Sequence, residues 1–199
     1  MKRMKKIIIP STLLILLITL SVTHMGWKST NGVVTLNRAD AVEISDVAEY
    51  LEALSILPPN NEIEALDFTV ESLDGETESL NDYRGNVVFL NFWATWCGPC
   101  KAEVGDIQAL SETLQDEDFV VMALSIQEQK KKVDKFMKSN NIDFPVYLDS
   151  DGAVAAMYGV TGIPTTYIIA PDGMIVGRAV GPRDWGGKES VELMRSLMN

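Results

Sequence analysis

Histidine and cysteine are nearly missing from this chain of 199 residues, which holds one of the first and two of the second. The single histidine, His24, sits near the N-terminus. A mixed Cys/His metal site therefore lacks donors, and copper carriage, which would want a histidine in the folded part, is disfavoured on the same ground. No metal or cofactor is expected. Two cysteines cannot build the multi-bridge framework that staples small secreted domains, and a chain of this length buries a core without one. Internal repeats and low-complexity tracts are absent. So is any acidic residue before Asp40, although Lys2, Arg3, Lys5, Lys6, Lys28 and Arg38 precede it. From residue 39 onward 11 basic side chains stand against 28 acidic ones, a net of −17. That balance repels phosphate backbones and argues against nucleic acid as a partner.

Charge is also missing from the 21 residues Ile7 to Trp27, which follow the basic start "MKRMKK". Such a run is just long enough to span a bilayer core. A cleaved signal peptide is the competing reading, but no Ala-x-Ala follows Leu20, and Ser21-Val22-Thr23 is a poor substitute. No cysteine lies nearby to carry a lipid. An uncleaved anchor over residues 1–27 is the favoured expectation. The positive-inside rule then keeps Lys2 to Lys6 in the cytoplasm and places the chain after Trp27 outside it, as a single-pass protein of the cell membrane. Residues 28–61 are expected to be a linker containing an acidic amphipathic helix over 40–57. Val42, Val47, Leu51 and Leu54 fall near helical spacing, Asp40 is a candidate N-cap, and Pro58-Pro59 is the stop. Docking of its apolar stripe on the protein's own domain is favoured over binding to a partner.

From Leu66 onward strand and helix patterns alternate, within a domain expected over residues 62–199. "LDFTVES", the turn "LDG" and "ETESL" predict a hairpin. "NVVFLNFW" and "DFVVMALSI" are continuous apolar runs suited to buried strands, separated by a helix over 98–114. "EQKKKVDKFMKSNN" predicts a helix with Val133, Phe136 and Met137 on one face and solvated lysines on the other. "FPVYLD", "TTYIIA" and "MIVGRAVG" follow as strands, with a last helix near Lys188 to Leu197. The order implies an α/β fold, a mixed sheet with helices on both faces.

Both cysteines fall within "FWATWCGPCKAE", residues 92–103, at a strand-to-helix junction. Gly98 permits a sharp turn, and Pro99 suits the first helical turn, where its missing N–H has no intrahelical partner. Cys97 then lies at the helix N-terminus, where free amides and the macrodipole favour the thiolate. Cys100 is one turn further and within disulfide reach. One thiol attacks and the other resolves. A purely structural disulfide is the weaker reading, because so small a ring constrains little unfolded-chain entropy. A thiol peroxidase would want Pro-x-x-x-Thr-x-x-Cys, and Leu90 and Ala94 occupy those positions.

"VVFLNFWATWCGPCKAE" together with "GVTGIPTTYIIAPDG" resembles the thioredoxin superfamily, and within it the membrane-tethered, extracytoplasmic thiol-disulfide oxidoreductases that include cytochrome c maturation reductases. The resemblance covers about residues 62–199. It implies a thioredoxin fold with an N-terminal β-hairpin extension. It implies a cis Pro164 against the disulfide, with Ile163 offering its backbone to an extended substrate. Trp96, Gly98, Pro99, Thr161, Gly162, Ile163 and Pro164 would then contact substrate, Trp96 alone among the nearby aromatics facing it. Glu103 resembles the acid with which the tethered reductases tune thiol ionisation, alongside Cys97 and Cys100 as catalytic residues; its bland alternative is an exposed helix residue. Asn91 stands where cytosolic thioredoxins carry a buried aspartate. Gly105 stands where this branch commonly has proline, which puts helix geometry beyond Glu103 in question. The implied partners are protein disulfides, apocytochrome c or envelope proteins, and a membrane electron-transfer protein as reductant. A disulfide-forming oxidase or isomerase and a non-redox peptide-binding module are the rivals.

Overall fold

The computed structural model describes residues 38–198, with side chains from residue 46. The apolar stretch 7–27 lies outside the described residues, and none of the described helices is long and apolar enough to cross a membrane.

The elements are helix α1 (Arg38–Ala53), strands β1 (Thr69–Ser72) and β2 (Thr77–Ser79), and a short 3-10 turn (Leu80–Tyr83). Then follow β3 (Val87–Trp93), α2 (Gly98–Thr113), β4 (Phe119–Ile126), α3 (Lys130–Asn140) and β5 (Val146–Asp149). The chain ends with α4 (Ala153–Met157), β6 (Thr165–Ile169), β7 (Ile175–Val180) and α5 (Lys188–Leu197). Seven strands form one mixed sheet in the order β2-β1-β5-β4-β3-β6-β7. β3 runs parallel to β4 and antiparallel to β6, while β1 pairs with both β2 and β5, so the hairpin extends the sheet itself.

All seven residues of β3 are buried, as a central strand covered on both faces requires. Its alternate side chains divide between two cores. Val87, Phe89 and Trp93 pack with Val104, Ile107 and Leu110 of α2, Val133 of α3 and Leu193 of α5. Val88, Leu90 and Phe92 pack on the other side with Val154 of α4, Tyr158, Phe68 and Leu80. One face is thus covered mainly by long helices and the other by α4 and the hairpin region. Gly105 does not interrupt α2, which runs unbroken to Thr113.

α1 differs from expectation at both ends. Asp40 lies within the helix rather than at its cap, and the stop precedes the prolines. The Ser55 amide donates to the Glu52 carbonyl at 2.9 Å and the Ile56 amide to that of Leu51 at 2.8 Å, with Ser55 in the left-handed region at φ 51°. This is a Schellman ending, completed by burial of both Leu51 and Ile56 in the core beneath. The chain then lies along the outer edge of β7, where Leu57 and Arg178 exchange backbone hydrogen bonds, so an otherwise bare edge is covered. A serine at the left-handed position is strained where glycine is not. Ser55→Gly should therefore stabilise the protein by about 0.5 kcal/mol, the relief of strain slightly exceeding the extra chain entropy lost, read as a higher midpoint in urea unfolding.

Candidate active site

The parallel pairing of β3 with β4 and the antiparallel pairing of β3 with β6 bring three connections to one end of the sheet. These are the 94–97 loop after β3, residues 127–129 after β4, and residues 161–164 before β6. Carboxyl ends of parallel strands are where α/β folds collect their chemistry.

Cys97 caps α2, Pro99 occupies its first turn, and the amide of Cys100 points at Cys97 Sγ from 3.1 Å. The two cysteines form a disulfide, with Cα atoms 5.3 Å apart. Cys97 is 6% exposed and Cys100 fully buried, so only the first sulfur can be reached from outside. Cys97 Sγ lies 3.6 Å from the carbonyl oxygen of Ile163. A disulfide sulfur has no proton to give, so that contact becomes a hydrogen bond only when the pair is reduced to thiols. The Ile163–Pro164 peptide is cis. Trp96 is 58% exposed beside Gly98 and Pro99, which are also exposed. Across from them Thr161 and Gly162 are exposed, Ile163 is half-buried and Pro164 buried. The Thr165 hydroxyl donates to the Gly162 carbonyl and fixes the turn into β6.

Glu103 is not a surface residue. It is 2% exposed, one helical turn past Cys100. Its Oε1 accepts from Asn91 Nδ2 at 3.1 Å; its Oε2 accepts from Trp185 Nε1 at 3.1 Å and from the Arg183 amide at 3.3 Å. Burial pushes its pKa up to about 7, against the opposing pull of those three donors and the Arg183 charge. A carboxyl poised there exchanges protons near neutrality. Asn91, read from sequence as the loss of an acid, is instead a partner of one, and also donates to Thr166 Oγ1.

A second buried carboxylate holds the loop ahead of Cys97. Glu128 accepts from the Thr95 amide and hydroxyl, each at 2.6 Å, and from the Ser125 hydroxyl at 3.1 Å, and pairs with Lys132 at 2.6 Å. Burial would raise its pKa, but Lys132 and these hydrogen bonds outweigh it and hold Glu128 below the ordinary carboxylate value. Sequence reasoning missed it because Glu128 opens the polar run "EQKKK". α3 begins only at Lys130, which leaves Glu128 in the preceding loop and turned inward. Lys132 is accordingly an ion-pair partner and not merely a solvated lysine. Among the described residues no group of three His, Cys, Asp or Glu could hold a metal ion.

Residues 62–178 match the AhpC/TSA family. The thiol-disulfide oxidoreductase ResA of Bacillus subtilis (strain 168) is 38% identical over 118 residues, which cover 59% of this chain and 66% of that one, just under two thirds of its length. Among solved structures, a thiol:disulfide interchange protein of the thioredoxin family from Chlorobium tepidum TLS aligns with a TM-score of 0.62 at 27% identity, over 71% of this chain and 99% of its own. StoA from Bacillus subtilis aligns with a TM-score of 0.53 at 29% identity, over 60% and 90%. The architecture is a thioredoxin fold.

Proposed function

The chain belongs to the AhpC/TSA family of the thioredoxin superfamily, and on that premise we propose that it is a thiol-disulfide oxidoreductase whose Cys97/Cys100 pair reduces disulfides of protein substrates outside the cytoplasm. The observation that carries this reading is a disulfide with one accessible sulfur at a helix N-terminus, backed by a buried acid that titrates near neutrality. Peroxidase chemistry is disfavoured despite the family's name. Leu90 and Ala94, both fully buried, stand where the proline and threonine of a peroxidatic cysteine would be.

In the reduced enzyme the Cys97 thiolate attacks a substrate disulfide. A bond forms between Cys97 Sγ and one substrate sulfur, and the other substrate sulfur leaves as thiolate. Cys100 then gives up its proton, with Glu103 as the acceptor, and attacks Cys97 Sγ. The intramolecular disulfide forms and the second substrate thiolate departs. Two electrons have passed to the substrate, and the enzyme is left in the state described here. An extended substrate segment lies against Ile163 and Pro164 and beneath Trp96, with Gly98, Pro99, Thr161 and Gly162 around it. Residues 7–27 tether the domain to the membrane, a membrane electron-transfer protein returns the dithiol, and apocytochrome c or envelope proteins are the substrates. The name of the ResA relative supports thiol-disulfide exchange as the chemistry.

The reducing direction rests on the Gly98-Pro99 dipeptide, which offers no histidine to stabilise a Cys97 thiolate, and on the nearby carboxyl, which opposes one when ionised. The couple should lie near the thioredoxin value of about −270 mV in a redox titration against glutathione or dithiothreitol. A potential above about −180 mV, the range of isomerases, would assign the enzyme to disulfide formation or isomerisation instead.

A further inference from the structure

Besides the apolar packing of Leu51 and Ile56, Arg183 ties the end of the N-terminal helix by hydrogen bonds to the surroundings of the redox pair. Its Nε donates to the Leu54 carbonyl at 2.7 Å and its Nη2 to that of Ser55 at 3.2 Å. These are the last carbonyls of the α1 ending, which have no partner within the helix, and a guanidinium there also meets the negative end of the helix dipole. Its Nη1 donates to the carbonyls of Val180, Gly181 and Pro182, at 3.2, 3.1 and 2.9 Å, and so folds the connection after β7 around itself. The same residue's backbone amide donates to Glu103 Oε2, and two residues on Trp185 donates to the same oxygen. Trp185 is fully buried edge-on against Phe89, its ring centroid 4.8 Å away, so the position of the indole is set by the core as well as by the loop.

We infer that Arg183 is a positioning residue of the redox site: by gripping the end of α1 it holds the 181–185 connection in the one arrangement that aims two N–H donors at Glu103. α1 is then part of the proton-handling apparatus and not only an apolar stripe docked on the domain. This rests on the proposed role of Glu103 for its functional meaning, and on geometry alone for the coupling itself. The charge acting on Glu103 is that of Arg183; further along α2 Asp106 is acted on by Asp184, and the two cysteines do not titrate while disulfide-bonded.

The test follows the Glu103 carboxyl by carbon-13 NMR in the oxidised full-length protein, so that no thiol titrates with it. Arg183→Met keeps the aliphatic stem and removes every grip on α1. The Glu103 midpoint should rise by roughly one pH unit or more, since a hydrogen bond to a charged group is worth about that much or somewhat more. Arg183→Lys, which keeps the charge but reaches fewer carbonyls, should give a smaller but clear rise; a wild-type midpoint in Arg183→Lys would mean that the charge of Arg183 and not its grip on α1 acts on Glu103, and would overturn the inference. An Arg183→Met protein that melts cooperatively yet keeps the wild-type Glu103 midpoint would overturn the inference, because a residue that only braces the fold moves the melting temperature and not the titration. Thiol alkylation against pH in the reduced protein separates the two readings. If Glu103→Gln leaves that profile unchanged while Arg183→Met still shifts the carboxyl midpoint, the role of Glu103 fails and the coupling stands.

Discussion

Cys97→Ser should lose disulfide exchange altogether, by a factor of at least about a thousand against a disulfide-bonded reporter peptide. A serine hydroxyl cannot form a mixed disulfide, and no other sulfur in the domain can replace the one removed. Cys100 is fully buried behind Cys97, at the inner side of the first turn of α2, where a folded substrate cannot reach it. Cys100→Ala should behave in the opposite way. The attacking sulfur keeps its helix N-terminus and the neighbouring amide, so the first step proceeds, but nothing displaces the product. The enzyme should then accumulate covalently joined to its substrate, as a species on a non-reducing gel that collapses with dithiothreitol. Trapping through Cys100 in the Cys97→Ser protein at a comparable rate would reverse the two roles. A peptide-binding module without redox chemistry would tolerate both substitutions in cells.

The position of both cysteines at the start of α2, on which these proposed roles rest, was accessible from sequence because it follows a local rule. The spacing of the cysteines, the proline between them and the apolar strand ahead of them all act within one turn of helix. Most of the sheet was legible for the same reason, since "VVFLNFW" can only be a strand buried on both faces, and the final helix has a clean amphipathic period. What escaped involves groups distant in sequence. Trp185 and Arg183 lie some 80 residues from Glu103, and nothing around either announces a carboxylate. Glu128 looks like one more surface charge until the crossover from β4 turns it toward Thr95. The end of α1 misled differently. Two prolines gave a visible stop, whereas the actual stop is a left-handed serine fixed by the burial of Leu51 and Ile56. Asn91 shows the limit of arguing by substitution, because the loss of a titrating group at one position is answered by a partnership with another acid twelve residues on.

Glu103→Gln should make the protein more stable at neutral and alkaline pH while harming its chemistry. In the native state the Glu103 pKa is pushed from an ordinary 4.5 up to about 7, so folding disfavours the ionised form. Below pH 4.5 the carboxyl is protonated in both folded and unfolded chains and folding bears no penalty. As pH rises from there to about 7 the unfolded chain ionises and the folded one resists, so stability falls across that window, by about 3 kcal/mol at 1.36 kcal/mol per unit. Glutamine removes this loss, provided its amide is satisfied, and the site permits that. The glutamine oxygen can take the Trp185 and Arg183 donors, while its NH2 donates to an Asn91 turned over to present its own oxygen, which the Thr166 hydroxyl can also reach by rotating its proton. Urea unfolding at pH 8 should accordingly show a gain of about 2 to 3 kcal/mol for Glu103→Gln, shrinking to nothing near pH 4. The same variant lacks the proposed acceptor of the Cys100 proton, so resolution of the mixed disulfide should slow by about 10²- to 10⁴-fold at neutral pH, the usual worth of a positioned acid or base. Equal stability of the two proteins at pH 8 and pH 4 would mean that Glu103 ionises in the folded protein as readily as in water. A gain in stability without a loss in turnover would place proton transfer elsewhere. The expected combination has one physical origin: a carboxyl kept in a dry site carries a charge badly, and that reluctance is what leaves it ready to take up a proton at the pH where a thiol must lose one.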